Sequence, residues 1–251
     1  MQEVVVTSQQ NVPRFTYSES ALKVRAFLYD FWSTHGHGPN LRDTHEGVGL
    51  SREDIIAAYK ELNFGEIVFD LTTQNLCMIK CPPFSAVTTQ VQIWVDGGFF
   101  AYCGCAMESV AVSRTPKLND REITIESYCA CCLDSVTMVW RNGELLSANP
   151  QNPLVHVSQH PDDWAIPSVW MMCDSMNFVM DAEHAKRYEA KLSRRGVLFT
   201  LEQAHAFVQV AANHRVWERD WYTGPLSPSS ILQSIKRLGV DTSPWEPSAD
   251  R

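Results

Sequence analysis

The chain has 251 residues, with 21 Lys and Arg against 29 Asp and Glu, which gives a formal net charge of −8. Hydrophobic residues make up 45% and charged residues 20%, a globular composition that excludes a disordered or fibrous chain. The acidic balance argues against a nucleic-acid partner, and no apolar run approaches the ~20 residues of a membrane-spanning helix. The first residues lack the basic start and apolar core of a secretion signal, so we expect a cytoplasmic protein with no membrane partner.

The N-terminal part predicts three helices followed by a β-ribbon. One helix begins at Ser18 and ends before Gly36, a short one covers residues 41–46, and a third begins at Ser51. The ribbon is predicted at residues 66–80. This order is typical of a winged helix, which we predict over residues 14–80.

Strands dominate beyond the Cys-Pro-Pro break at residue 81, which we take as a domain boundary. An α+β fold is therefore predicted, in which a mixed or antiparallel sheet flanked by helices occupies residues 81–216 and a C-terminal extension follows at 217–251. The predicted strands are Val87–Trp94, Glu122–Tyr128, Ser135–Arg141, Leu154–Val157 and Val169–Asn177, with Phe99–Cys103 either a strand or the start of a helix. The predicted helices are Asp181–Arg195 with Gly196 as its cap, one from Thr200 to about Asn213, and one from Ser227 that Gly239 ends.

The cysteine content is high for a chain expected in a reducing compartment, where thiols stay free. Such thiols point to a metal-binding or catalytic use for some of them. The eight are Cys77, Cys81, Cys103, Cys105, Cys129, Cys131, Cys132 and Cys173.

Cys105 and Glu108 form the first candidate site. A spacing of three residues puts a thiol and a carboxyl on one side of a turn or helix start. A thiolate binds a soft electrophile or metal and a carboxyl moves a proton. The alternative is that Cys105 is a small buried hydrophobic residue and Glu108 a surface charge.

The segment Cys129-Ala130-Cys131-Cys132 is a second cluster of thiols. Together with Cys103 and Cys105 it could form a structural zinc or Cu(I) site of four thiols, although the spacing is not that of a zinc ribbon. The alternative is a pair of strands with buried thiols. Cys173, next to methionines, is either a buried residue of the core or a ligand in a soft environment.

Three segments, in this order, resemble the organomercurial lyase (alkylmercury lyase) family over roughly residues 15–215. They are Gly104–Glu108, Ser127–Ala130 continuing to Val139, and Met172–Cys173 with Phe178 and the helix that holds Ala182 and Glu183. The resemblance implies a winged-helix-like N-terminal domain and a thiol-containing catalytic domain. It also implies that Cys105 and Cys173 are the catalytic thiols, that Cys129 is structural, and that Glu108 stands at the family's catalytic aspartate.

The glutamate is a departure from the family pattern. It keeps the carboxyl but moves it by about 1.5 Å, the length of one carbon–carbon bond, and a misplacement of about 1 Å can cost about 100-fold in rate. Cys103 has no role in the family pattern, and we keep it as a possible additional metal ligand.

The function that the resemblance implies is mercury detoxification. Two thiolates bind an organomercurial cation, the carboxyl protonates the leaving carbon, and the products are a hydrocarbon and Hg(II) bound by Cys105 and Cys173. No organic cofactor is required, and a thiol or a reductase would accept the mercuric ion. Three alternatives remain: a protein that binds Cu, Zn or Hg(II), an enzyme that cleaves another carbon–heteroatom bond, and a winged-helix regulator that senses metal.

Overall fold

The computed structural model describes residues 17–63, 67–164, 173–209 and 228–246. Helices and antiparallel sheets share these residues, which confirms the predicted α+β class. Within these segments no helix has the length and apolar character needed to cross a membrane.

The three N-terminal helices form as predicted: α1 (Glu19–His35), α2 (Leu41–Val48) and α3 (Arg52–Leu62). The hydroxyl of Ser18 accepts from the Ala21 amide at 3.1 Å to begin α1, because an N-cap oxygen satisfies an otherwise free N–H of the first turn. The chain leaves α1 at Gly36 with φ 73°, a left-handed conformation that favours glycine. Trp32 of α1 stacks on Phe84 with ring centroids 5.5 Å apart, which fixes the helices to the sheet.

An eight-stranded antiparallel sheet forms the centre of the molecule, in the order β1-β2-β3-β5-β4-β6-β7-β8. Its strands are β1 (Val68–Phe69), β2 (Met78–Cys81), β3 (Phe84–Ser85), β4 (Val91–Val95), β5 (Gly98–Cys103), β6 (Ile123–Tyr128), β7 (Ser135–Arg141) and β8 (Glu144–Asn149). The predicted ribbon forms as β1 and β2. Cys81 pairs with Phe84 across the predicted boundary, so the Cys-Pro-Pro break is a turn within this sheet. The division into domains stays a prediction.

An alternation of buried and more exposed residues explains strands β4 and β7. In β4, Val91, Ile93 and Val95 face the core while the residues between them are half-buried, as the two-residue period of a strand requires. Strand β8 was not predicted, because five of its six residues are exposed and leave no apolar pattern.

A three-stranded antiparallel sheet lies beside the first, in the order β10-β9-β11. Its strands are β9 (Leu154–Val157), β10 (Met176–Val179) and β11 (Val197–Thr200). The remaining helices are α4 (Ala106–Ser109), α5 (Ala182–Leu192), α6 (Leu201–Val208) and α7 (Pro228–Arg237). Residues 169–172 of one predicted strand, residues 210–213 of one predicted helix, and 217–227 and 247–251 of the predicted extension lie outside the described residues.

The predicted cap of α5 was wrong. The helix ends at Leu192, and its C-cap is Ser193, which adopts φ 52°. Gly196 lies three residues further on, against the ring of His156, where a Cβ would clash. Glycine is therefore needed there for close packing between β9 and β11 and not for a helix end.

Candidate active site

The end of β5 places Cys105 and Glu108 beside each other. After Cys103 the chain passes Gly104 and enters α4, with Cys105 as its N-cap. The thiol of Cys105 accepts a hydrogen bond from the Glu108 amide at 3.4 Å. The thiol and the carboxylate therefore share one side of the first turn, as their spacing predicts. Cys105 is 1% exposed, so it is also a buried residue of the core.

The segment that leads into β10 brings Cys173 to the same point. Cys173 Sγ lies 3.3 Å from Glu108 Oε1, and Cys105 Sγ lies 3.9 Å from Met176 Sδ on β10. One ligand atom from each of Cys105, Glu108 and Cys173 lies within 4.8 Å of the other two. Cys173 and Met176 thus contact Cys105 and Glu108, although they follow them by 65 or more positions in the chain. No spacing pattern reveals such a contact.

Lys80, a residue that sequence reasoning missed, completes the cluster. It extends from β2, is 0% exposed, contacts Cys173 Sγ and places Nζ 3.2 Å from Glu108 Oε2. The only signal in the sequence was a lysine among apolar residues in a predicted ribbon. Such a residue is usually solvated, so the pattern gave no reason to select it.

The electrostatics of the cluster keep the lysine charged. Burial lowers the pKa of Lys80, but the charges of Glu108, Cys173 and Cys105 outweigh it and raise that pKa above its usual value. A hydrogen bond with Cys105, burial, and the charges of Cys105 and Glu108 raise the pKa of Cys173, although Lys80 opposes them. Cys173 therefore carries its proton at neutral pH, next to a carboxylate oxygen that can accept it.

Gly104 makes room for these side chains. A Cβ at this position would clash with Glu108 Oε2 and with Cε and Nζ of Lys80. Any larger residue must displace the Lys80–Glu108 pair, so the glycine is needed for a close approach of backbone and charge.

The other sequence-predicted thiols lie outside this cluster. Cys103 is fully buried and points its thiol at the Cys105 carbonyl, 3.7 Å away. Burial raises the pKa of Cys103, and Glu108 adds to the rise. Cys129 lies in the turn between β6 and β7, so the four-thiol zinc site is not formed. In the part of the chain that the structure describes, only Cys105, Glu108 and Cys173 meet as three candidate metal ligands.

An open cleft of about 270 Å³ leads to the cluster. Cys173 and Gly104 line it, together with Thr89, Gln90 and Asn177. Gln90 donates to the Asn177 side chain across it. Cys173 is therefore the thiol that a small molecule meets first.

Comparison with known proteins decides the family. Residues 84–212 match the family model described as alkylmercury lyase, just over half of the chain. The chain belongs to the alkylmercury lyase family. Its activity is cleavage of a carbon–mercury bond, and the matched residues include Cys105, Glu108 and Cys173. Lys80 precedes them.

A solved structure described as the mercury-bound form of MerB2 has a similar fold. Its TM-score is 0.63 and its sequence identity 18%, and the alignment covers 77% of this chain and 90% of that one. At this identity the likeness shows the fold alone. No curated protein shows significant sequence similarity to the chain.

We expect Gly104→Ala to lower kcat/KM for methylmercury cleavage by about 100-fold. The new methyl group displaces Glu108 and Lys80, and a misplacement of about 1 Å can cost about 100-fold in rate. The measurement is methane release under excess thiol. Gly98→Ala is the matched control, since its Cβ would meet only Val95 O at 3.6 Å. Equal rates for the two variants would show that the position of the ion pair does not matter.

Proposed function

We propose that this alkylmercury lyase cleaves small organomercurial cations, R–Hg⁺, with Cys173 and Cys105 as the mercury-binding thiolates and Glu108 as the proton donor. One observation carries the proposal: two thiols and a carboxylate lie within 4.8 Å of one another in a nearly buried pocket. Mercury is soft, and thiolates bind soft cations far better than oxygen or nitrogen ligands do.

Cys173 captures the cation first, because it lines the cleft. Its proton passes to Glu108 Oε1, which lies 3.3 Å from Sγ. Cys105 then adds as the second sulfur ligand and releases its own proton. Two sulfurs enrich the electron density on mercury and weaken its bond to carbon.

Glu108 next gives the proton to the leaving carbon, as a general acid. The balance is R–Hg⁺ plus two thiols giving R–H, a mercury bis-thiolate and one proton. The reaction needs no organic cofactor, because two thiols and a carboxyl supply every group that it uses. Hg(II) remains bound to the two sulfurs as the product.

Lys80 acts as a positioning residue in this scheme. Its ammonium group contacts both Cys173 and Glu108 and stabilises the thiolate and the carboxylate in turn. Because Lys80 contacts both residues, it also fixes the distance between Glu108 on α4 and Cys173 before β10.

We expect Cys105→Ser and Cys173→Ser each to abolish methylmercury cleavage, since a hydroxyl is a hard ligand that does not replace a thiolate on mercury. Gas chromatography of released methane measures it. Cys77→Ser, which removes an exposed thiol outside the cluster, should leave the rate unchanged. Full activity in either the Cys105→Ser or the Cys173→Ser variant would contradict the assignment of these two residues as the mercury-binding thiolates.

Glu108→Gln should still bind methylmercury but lower kcat by about 10²–10⁴-fold, the contribution of a positioned proton donor. Single-turnover methane release, with bound mercury counted separately, distinguishes the two steps. Glu108→Asp keeps a carboxyl and should turn over faster than the glutamine variant. Unchanged turnover in Glu108→Gln would mean that the proton comes from another group.

Lys80→Met should move the pH profile of kcat/KM toward higher pH. Lys80 lowers the pKa of Cys173, so without its charge this pKa rises further and the thiolate forms only in more alkaline solution. Lys117→Met is the control, since Lys117 pairs with Asp30 in an exposed ion pair. A folded Lys80→Met protein with the wild-type pH profile would contradict the role of Lys80.

The main alternative is a protein that binds Cu or Zn with the same three ligands. Metal analysis of protein purified without added metal separates the two. A stoichiometric copper or zinc content, without methane release from methylmercury, would favour the alternative.

We further propose that residues 14–80 form a winged-helix-like domain that covers the thiol domain of residues 81–216, with residues 217–251 as an extension. The helices α1–α3 followed by the β1–β2 ribbon support this order. We place the enzyme in the cytoplasm, where a thiol or a reductase takes up the mercuric ion.

A further inference from the structure

A second group of soft side chains lies at the turn between β6 and β7, apart from the catalytic cluster. Cys132 Sγ lies 3.8 Å from Met180 Sδ and 3.2 Å from Asp134 Oδ2. Hydrogen bonds with Asp134 and burial shift the pKa of Cys132, and the nearby thiol of Cys129 adds to the net rise. Cys132 thus has a thioether, a carboxylate and a second thiol as neighbours, at a position that the reaction does not use.

The backbone of the turn holds the two thiols together. The Leu133 amide donates to the Cys129 carbonyl at 2.8 Å, and the Cys129 amide donates to the Asp134 carbonyl at 2.8 Å. The first bond closes a single helical turn, in which residues three apart lie on the same side. Cys129 and Cys132 are three apart, so their proximity follows from the turn.

Two further contacts fix this turn to the rest of the fold. The Ala130 amide donates to the Phe178 carbonyl of β10 at 2.9 Å, and Lys191 Nζ of α5 donates to the Cys131 carbonyl at 2.6 Å. The pair of thiols is therefore formed before any ligand arrives, which reduces the entropy cost of binding.

We propose that Cys129 and Cys132, assisted by Met180, form a second site for a soft cation, and that this cation is Hg(II). Hg(II) and two thiols give a bis-thiolate complex and two protons, so no oxidant or reductant is needed. Thiolate and thioether ligands select soft metals. Cys132 is exposed and Cys129 buried, so the cation enters from solvent and gains one ligand from the core.

The two sites lie at opposite ends of one strand. Met176 at the start of β10 contacts Cys105, and Met180 just after its end contacts Cys132. Four residues of strand span about 13 Å. This second site holds mercury away from Cys105 and Cys173, and it goes beyond the proposed cleavage reaction.

The test uses the full chain with both Cys105→Ser and Cys173→Ser, which removes the first site. Reduced protein is loaded with Hg(II), challenged with excess glutathione and passed through gel filtration, and retained mercury is measured by mass spectrometry. One Hg(II) per chain is expected, with the ultraviolet absorption of a mercury–thiolate bond. Adding Cys132→Ser should weaken the retention of Hg(II) by at least about 100-fold, because one thiol then replaces a pair of thiols that bind the ion together.

Cys77→Ser in the same background is the matched control, since it removes an exposed thiol that belongs to neither site. It should retain one Hg(II). Cys132 is exposed, so its substitution leaves the core intact. Retention of one Hg(II) by the Cys132→Ser protein, or none by the background, would overturn the proposal. The background lacks cleavage chemistry, so failure of the proposed reaction in the wild-type protein would leave this result standing.

Discussion

A buried ammonium group organises the candidate active site of this lyase. Lys80 is 0% exposed, and removing such a charge from water costs several kcal/mol unless partners compensate for it. Glu108 supplies the opposite charge at 3.2 Å, and the thiol of Cys173 supplies a second contact. Because Lys80 comes from β2 and its two partners come from α4 and from the segment before β10, one charge requires three distant parts of the chain to converge.

The same ion pair keeps the charge of the pocket constant during the proposed reaction. Before substrate binds, Lys80 and Glu108 neutralise each other. After cleavage, the mercury bis-thiolate is neutral and the ion pair is restored. The substrate brings one positive charge and the released proton removes one. In a low-dielectric pocket, where unpaired charge is costly, the proposed reaction therefore leaves no unpaired charge after cleavage.

The sequence could predict features that depend on residues close together in the chain or on a regular alternation of apolar residues. The first turn of α4 follows from the three-residue spacing of Cys105 and Glu108, and β7 follows from its alternation. Cys173 was reached through the order of three segments that resemble a family, because no spacing links it to Cys105. Lys80 and Gly104 were not predictable, since their roles exist only after the strands pair. A lysine in a ribbon and a glycine before a helix have the same sequence signature whether or not a carboxylate lies between them.

The glutamate at position 108 is best understood together with Gly104 and Lys80. Judged by length alone, one additional methylene group would carry the carboxyl past its target. In this fold the absent side chain of Gly104 leaves space that the longer glutamate fills, and Lys80 holds Oε2 while Oε1 lies 3.3 Å from Cys173 Sγ. The position of the acid is therefore set by its two neighbours and not by the length of its own side chain. In the proposed reaction, a carboxylate held in this way delivers a proton to the carbon of the organomercurial that Cys173 holds through mercury, because the constraint acts on the oxygens that carry the proton.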